Sequence, residues 1–475
     1  MFLKRIFSIG SLVCAIICAP SAFAERYVID LIIKNETEKR TYFLGEYYGY
    51  QQQIIDTAVI VKPGHYRFSN PNRFLPSGIY FITQNTNQID FIVDRSQVFS
   101  INVNNSNLEI IISFENSEEN TLYKNLLDTI SPILSERRRA DSLIRTIVIS
   151  TPEYDSVLSQ LMLYSEIINQ IRTDFSKKNP KHIMTLVFNA QKDINVPEAP
   201  KNLSPEDGNM WRYQYYKSRF FDYIDFSDPR LVRTPILFAK VEQYLNQVVP
   251  LQPDSIIVAV RFILEKAEAN YENYKFLVDY LALKYERANF VGQDAVWVFL
   301  VENYLLNGKA DWLSRAALEN LSTRLNRVKP WLVGQIPPEM WYPDTSNNRE
   351  FQAMTSLFFS SAPYTVIFFW EPDCPHCKSE LIRLNFIYSQ RNELDFEVIT
   401  VSRDPDISKM KKTIEELNLP FVNLFGGGGP GVRRREDVWP IDVVPTLFVL
   451  DQDKRIISKR IPVNQLENVI RNHQK

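Results

Sequence analysis

The sequence predicts a multidomain protein: an N-terminal small antiparallel β-sandwich, a central all-α domain and a C-terminal α/β domain. Three observations carry this expectation. Up to about Phe114, short runs rich in β-branched and aromatic residues alternate in polarity between Asn, Gly and Pro. From Ser117 the apolar residues recur at helical spacing, and beyond about Trp331 near-continuous apolar strands alternate with amphipathic segments. The 475 residues accommodate about three domains at roughly 150 residues each. A content of 45% hydrophobic and 23% charged residues is the balance of a globular chain. Lys and Arg total 54 against 56 Asp and Glu, a net charge of -2, which argues against a nucleic-acid binder with its strongly basic face.

Residues 1–24 read as a secretory signal. Lys4 and Arg5 form a positive start, Ile6 to Ala19 an apolar run, and Ala22-Phe23-Ala24 the small-residue cleavage pattern, so the expected cut follows Ala24. Lipidation at Cys14 or Cys18 is disfavoured, because Val13 and Ile17 stand where a small residue belongs. No later segment reaches the roughly 18 apolar residues of a spanning helix. The mature chain is therefore expected in the periplasm or cell envelope, without a membrane span.

The β-sandwich is expected over 25–115, from YVIDLIIKN, RTYFLGEYYG, IIDTAVIV, YRFSN, GIYFITQN, IDFIVD and FSINVN. The helical domain, 116–335, begins with TLYKNLLDTISPILSERRRADSLIRTI and YDSVLSQLMLYSEIINQIRTDF and is punctuated by Pro180, Pro197, Pro200 and Pro205. Within it Ser227 or Asp228 can cap a helix with Pro229 in its first turn. LVGQIPPEMWYPD, with three prolines, reads as a linker. The α/β domain, 336–475, then runs YTVIFFW as a strand buried on both faces, a helix from Cys374 to about Asn392, DFEVITVSR as a strand and ISKMKKTIEELN as a helix. TLFVLD with RIISKRI makes a hairpin, and QLENVIRNH a last helix. No repeat of solenoid length is visible.

Chemistry concentrates at Trp370-Glu371-Pro372-Asp373-Cys374-Pro375-His376-Cys377-Lys378. Once the signal is removed, Cys374 and Cys377 are the only cysteines, so no disulfide framework exists and the pair is local. At a helix start a thiolate meets unpaired N–H groups and the positive end of the dipole, which lowers its pKa. Cys374 is therefore the expected nucleophile and Cys377, one turn in, the resolving thiol. Pro375 suits the first helical turn, and a protonated His376 adds positive charge beside the sulfur. Asp373 opposes the thiolate and Lys378 favours it. A structural zinc site needs about four ligands, and besides this pair the chain offers only His65, His182, His376 and His473. Haem attachment needs His where Lys378 stands, and a peroxidatic cysteine commonly has Thr or Ser where Glu371 stands. No metal or other cofactor is expected. An inert structural disulfide is the bland alternative.

The motif W-E-P-D-C-x-H-C-K-x-E, with V-P-T-L-F-V-L-D downstream, resembles the thioredoxin-like thiol-disulfide oxidoreductases of the TlpA/ResA type, as found in Bacteroidetes. The strand–helix order of the last domain agrees with that fold. YKSRFFDYIDFSDPRLVRTPIL is similar to the domain of unknown function that precedes thioredoxin in such proteins, and the N-terminal β region resembles another uncharacterised domain of that architecture. The resemblance implies that Pro445 is a cis proline facing the cysteine pair, with Val444 presenting backbone to a substrate strand. The alternative is an ordinary proline at the first residue of an edge strand. The implied partners are protein thiols and disulfides, with a membrane thiol carrier as electron donor. Reduction is the implied direction, whereas Cys-Pro-His-Cys is also the tetrapeptide of the oxidising DsbA, so both directions stay open. Catalytic roles thus fall to Cys374, Cys377 and Pro445, and tuning roles to Trp370, Pro375, His376 and Val444. The competing reading is an envelope binding or scaffold protein whose thioredoxin-like domain is regulatory or structural.

Lesser candidates have plainer explanations. Glu380 reads first as a solvated helix carboxylate and second as a proton shuttle. Asp225, Asp228, Arg230 and Arg233 read as caps and ion pairs, and His65 as a turn residue. The glycine-rich FGGGGPGVRRREDVWPID, carrying Arg433, Arg434 and Arg435, reads as a solvated loop before it reads as a substrate contact.

Overall fold

A computed structural model describes residues 27–106, 109–287, 291–344, 354–391, 394–427, 441 and 443–474. The signal segment and Arg433–Arg435 lie outside the described residues. Two compact units are present, one ending at Lys240 and one beginning at Val241.

The first unit opens with β1 (Tyr27–Lys34), β2 (Phe43–Tyr48), β3 (Gln51–Thr57), β4 (Val59–Lys62), β5 (His65–Asn70), β6 (Gly78–Gln84), β7 (Asn87–Val93), β8 (Val98–Ser106) and β9 (Glu109–Glu115). They form two sheets, ordered β4-β5-β1-β8-β9 and β3-β2-β6-β7. Alternate residues point inward, so Tyr27, Ile29 and Leu31 of β1 share one core with Leu44, Tyr80, Ile82 and Phe91 of the other sheet. The sandwich is as expected, but it is not wholly antiparallel. β1 and β8 pair in parallel, Val28 opposite Val98 through Lys34 opposite Asn104, a long-range pairing that no local turn signal announces. IIDTAVIV also serves both sheets, as β3 in one and β4 in the other, and the Ala58 N–H donates to the Tyr42 carbonyl between them. His65 is a strand residue and not a turn residue: it starts β5, and its Nε2 lies 2.9 Å from Asp30 Oδ1. Burial acts to raise the Asp30 carboxyl, and hydrogen bonds from Arg67 and His65 outweigh it, holding the group below the usual carboxylate range.

Gly45 sits opposite Phe81 across β2 and β6, and a Cβ there would fall 2.1 Å from the ring. Because Phe81 is buried, the ring has no free space to swing into. Gly45→Ala is expected to destabilise the first unit by about 1–3 kcal/mol through overpacking, read as a lower urea midpoint at unchanged slope.

The helical part comprises α1 (Glu118–Ile144), α2 (Pro152–Lys178), α3 (Ile183–Ala190), α4 (Pro205–Arg219), α5 (Pro235–Gln243), α6 (Pro253–Ala267), α7 (Tyr271–Glu286), α8 (Asp294–Leu300) and α9 (Arg315–Val328). Ser117, Thr151 and Ser204 cap α1, α2 and α4, and Pro152 and Pro205 occupy first-turn positions. The cap expected at Ser227 or Asp228 fails. Asp228 instead accepts from the Arg230 backbone N–H at 2.9 Å and pairs with the Arg230 guanidinium, closing a turn. A short 3-10 segment, Leu231–Arg233, follows, and the helix begins at Pro235. Asp225 accepts from the Ser227 N–H at 3.0 Å, Arg230 lies 3.6 Å from Asp94 and Arg233 lies 3.7 Å from Glu46, so this cluster is one of turns and ion pairs.

The second unit ends in β10 (Trp341–Pro343), β11 (Met354–Ser356), β12 (Tyr364–Trp370), α10 (Pro375–Ser389), β13 (Phe396–Ser402), α11 (Ile407–Glu416), β14 (Val422–Phe425), β15 (Thr446–Leu450), β16 (Ile456–Lys459) and α12 (Leu466–His473). The main sheet runs β14-β13-β12-β15-β16, with β12 central, parallel to β13 and antiparallel to β15. Every residue of β12 is buried. Val366, Phe368 and Trp370 face a core shared with α10, α11 and α12, while Ile367 and Phe369 face one closed by Trp331, Met340, Tyr342 and Leu357. The supposed linker is thus part of the fold. The Gly334 N–H donates to the Ile456 carbonyl and the Ile456 N–H to the Gln335 carbonyl, fastening 334–335 beside β16. Among the described residues no helix is long and apolar enough to cross a membrane.

Candidate active site

β12 delivers the chain to the end of the sheet, and Trp370, its last residue, is fully buried. The Trp370 carbonyl accepts from the Arg403 N–H at 2.8 Å, which fixes where the strand stops. Four residues on, Cys374 is the N-cap of α10 with extended backbone (φ -91°, ψ 108°), and Pro375 occupies the first turn. The sulfur takes the place of a capping oxygen: the Cys377 N–H donates to Cys374 Sγ at 3.1 Å. Cys374 and Cys377 are joined as a disulfide, with Cα atoms 5.2 Å apart. Their settings differ sharply. Cys374 is half-buried at the edge of the apolar core, whereas Cys377 is fully buried within it. Pro375 and His376 are exposed, and Lys378 is half-buried. A partner molecule can reach only the first sulfur.

Val444 and Pro445 sit at the same end of the sheet. The bond between them is cis. Thr446, the next residue, pairs with Phe369 across β15 and β12, so one step beyond that pair the two chains carry Pro445 and Trp370. Val444 packs against the same core cluster as Cys374. The topology therefore brings together Trp370, the cysteine pair, Val444 and Pro445, which are separated by some seventy residues of sequence.

Glu380 is neither solvated nor turned toward the sulfurs. It is buried, its Oε2 accepts from the Val463 N–H at 2.8 Å, and its Oε1 accepts from Arg383 at 2.6 Å. The carboxylate satisfies a buried donor ahead of α12 and so ties two elements together. Lys409 is the residue that sequence reasoning missed. It lies in the first turn of α11 and pairs with Asp373, directly before Cys374. That pair, with Lys378 adding to it, holds the Asp373 carboxyl below the usual carboxylate range. Among the described residues no cluster of His, Cys, Asp or Glu has the makings of a metal site.

Residues 337–459 match the AhpC/TSA family, and residues 168–329 match a domain of unknown function, DUF5106. Strand order and family match together give the C-terminal part a thioredoxin-like α/β fold. Among solved structures, a thioredoxin-like protein from Bacteroides caccae is 18% identical over 60% of this chain and 99% of its own, with a TM-score of 0.46. A domain of a possible thiol-disulfide isomerase from Cytophaga hutchinsonii is 24% identical over 30% of this chain and 95% of its own, with a TM-score of 0.28. The thioredoxin domain of a thiol-disulfide oxidoreductase from Bacteroides vulgatus is 21% identical over 29% of this chain and 97% of its own, with a TM-score of 0.25. No curated protein matches the chain.

Proposed function

We propose that this protein is an exported thiol-disulfide oxidoreductase that reduces protein disulfides through Cys374 and Cys377. The observation that carries the reading is the asymmetry of the pair: a half-buried sulfur at a helix N-cap, joined to a fully buried one inside the core. In the reduced protein the Cys374 thiolate attacks one sulfur of a client disulfide, and the client's other sulfur leaves as a thiolate. Cys377 then attacks the Cys374 sulfur, closing the pair and releasing the client as a dithiol. Two electrons pass to the client, and a membrane thiol carrier restores the pair. Val444 and Pro445 border the approach to Cys374 and present backbone to the client chain, while Trp370, Pro375 and His376 tune the nucleophile. Residues 25–115, 116–335 and 336–475 are the working domains of a periplasmic or envelope protein whose signal is cut after Ala24. The reduced protein should turn over a protein disulfide such as that of insulin. Failure to do so with the pair fully reduced would overturn the reading.

A further inference from the structure

Asp373 immediately precedes Cys374, and an unopposed carboxylate there would disfavour the thiolate that exchange requires. The structure gives it a partner. Lys409 Nζ, thirty-six residues further on, pairs with Asp373 Oδ2. Two features hold Lys409 in place. Asp406 caps α11, accepting from the Ser408 N–H at 2.9 Å and the Lys409 N–H at 3.4 Å. The adjacent Met410 is fully buried in the core against which Cys374 packs. The helix is thus anchored by one residue while its neighbour reaches the carboxylate.

We propose that Lys409 is a positioning residue that sets the redox poise of the cysteine pair by engaging the charge of Asp373. The inference rests on the exchange function proposed above and deepens it. Of the other charges nearby, Lys378 acts on Asp373 as a secondary charge behind Lys409, Glu371 is half-buried, His376 is exposed, Glu380 is turned to Val463 and Arg383, and Asp404 and Asp406 act on Lys409 itself. With the pair intact the thiolate is favoured, the dithiol state is stabilised, and the protein is a weaker reductant. Without Lys409, Asp373 faces Cys374 with only the weaker pull of Lys378 to offset it, the thiolate is disfavoured, and the disulfide state gains.

The test is the equilibrium of the full chain with glutathione, together with thiolate absorbance against pH. Lys409→Met is expected to shift the equilibrium about threefold toward the disulfide, or ~14 mV more negative at 29.6 mV per tenfold, and to raise the Cys374 pKa. Lys409→Arg should restore the wild-type values. Because both partners are largely exposed, the shift should shrink in about 1 M salt, where the screening length is ~3 Å. In an Asp373→Asn background Lys409 has no charge beside Cys374 to engage, so Lys409→Met should then change nothing. An equal shift in that background, or none in the wild-type background at low salt, overturns the proposal. A wild-type pair that never equilibrates with glutathione would instead overturn the exchange function itself.

Discussion

Cys377→Ser is expected to accumulate client proteins covalently bound at Cys374, and Cys374→Ser is expected to accumulate none. The first variant keeps the half-buried sulfur that a client can reach and removes the sulfur that would release it, so exchange stops at the mixed disulfide. The second leaves only a thiol that is fully buried in the core, where no client sulfur can approach in line. Either change should lower turnover of a protein disulfide by roughly 10³-fold or more, the scale expected for loss of a covalent nucleophile or its resolving partner. Non-reducing gels and mass spectrometry of the trapped species check this. An absence of adducts from Cys377→Ser would favour the scaffold reading, in which the disulfide only braces the domain.

The second large effect concerns stability. Lys459, at the end of β16, is buried, and its ammonium group donates to Asp294 at the start of α8 and to the Trp331 carbonyl. Burial pushes the Lys459 pKa down, and the Asp294 carboxylate acts against that shift. Asp294→Ala would leave a buried ammonium with only a carbonyl, and it is expected to cost about 3–5 kcal/mol. Lys459→Met removes the buried charge together with its partner's obligation. The Asp294 side chain is partly exposed, so the cost should be smaller, about 1–2 kcal/mol. Lys459→Met should therefore rescue much of the Asp294→Ala loss when the two are combined. The sign of the pH dependence follows. With the folded pKa of Lys459 below its unfolded value, the unfolded chain binds more protons between the two, so stability rises with pH across that window. In Asp294→Ala the window extends to lower pH, and denaturation curves at several pH values should show a steeper rise for the variant than for the wild type.

Local chemistry was legible in the sequence, and long-range pairing was not. YTVIFFW announced a strand buried on both faces, and the cysteine motif announced a helix start, because each signal is contained in a few adjacent residues. The cis bond before Pro445 followed from a resemblance and its distance after the motif. By contrast, the parallel pairing of β1 with β8 depends on residues some seventy positions apart. β14 is not announced because FVNLF is short, β10 because prolines give its segment the texture of a tether, and β11 because three residues carry no period. Trp331 and Tyr342 close one face of the main sheet, which could be seen only once that face existed. Lys409 is one of several lysines on α11, and nothing in ISKMKKTIEE distinguishes the one that reaches Asp373. The burial of Glu380 likewise depends on the distant Val463 N–H.

The most direct measurement is the redox equilibrium of the Cys374–Cys377 pair in the signal-free protein, titrated with glutathione and dithiothreitol buffers and read by thiol alkylation. A reductant of protein disulfides should equilibrate as a two-electron couple near the thioredoxin value of about -270 mV. A value near about -120 mV would contradict the reducing direction and mark a disulfide donor. A pair that stays closed to potentials well below about -300 mV, as structural disulfides do, would contradict the exchange chemistry on which the whole reading rests.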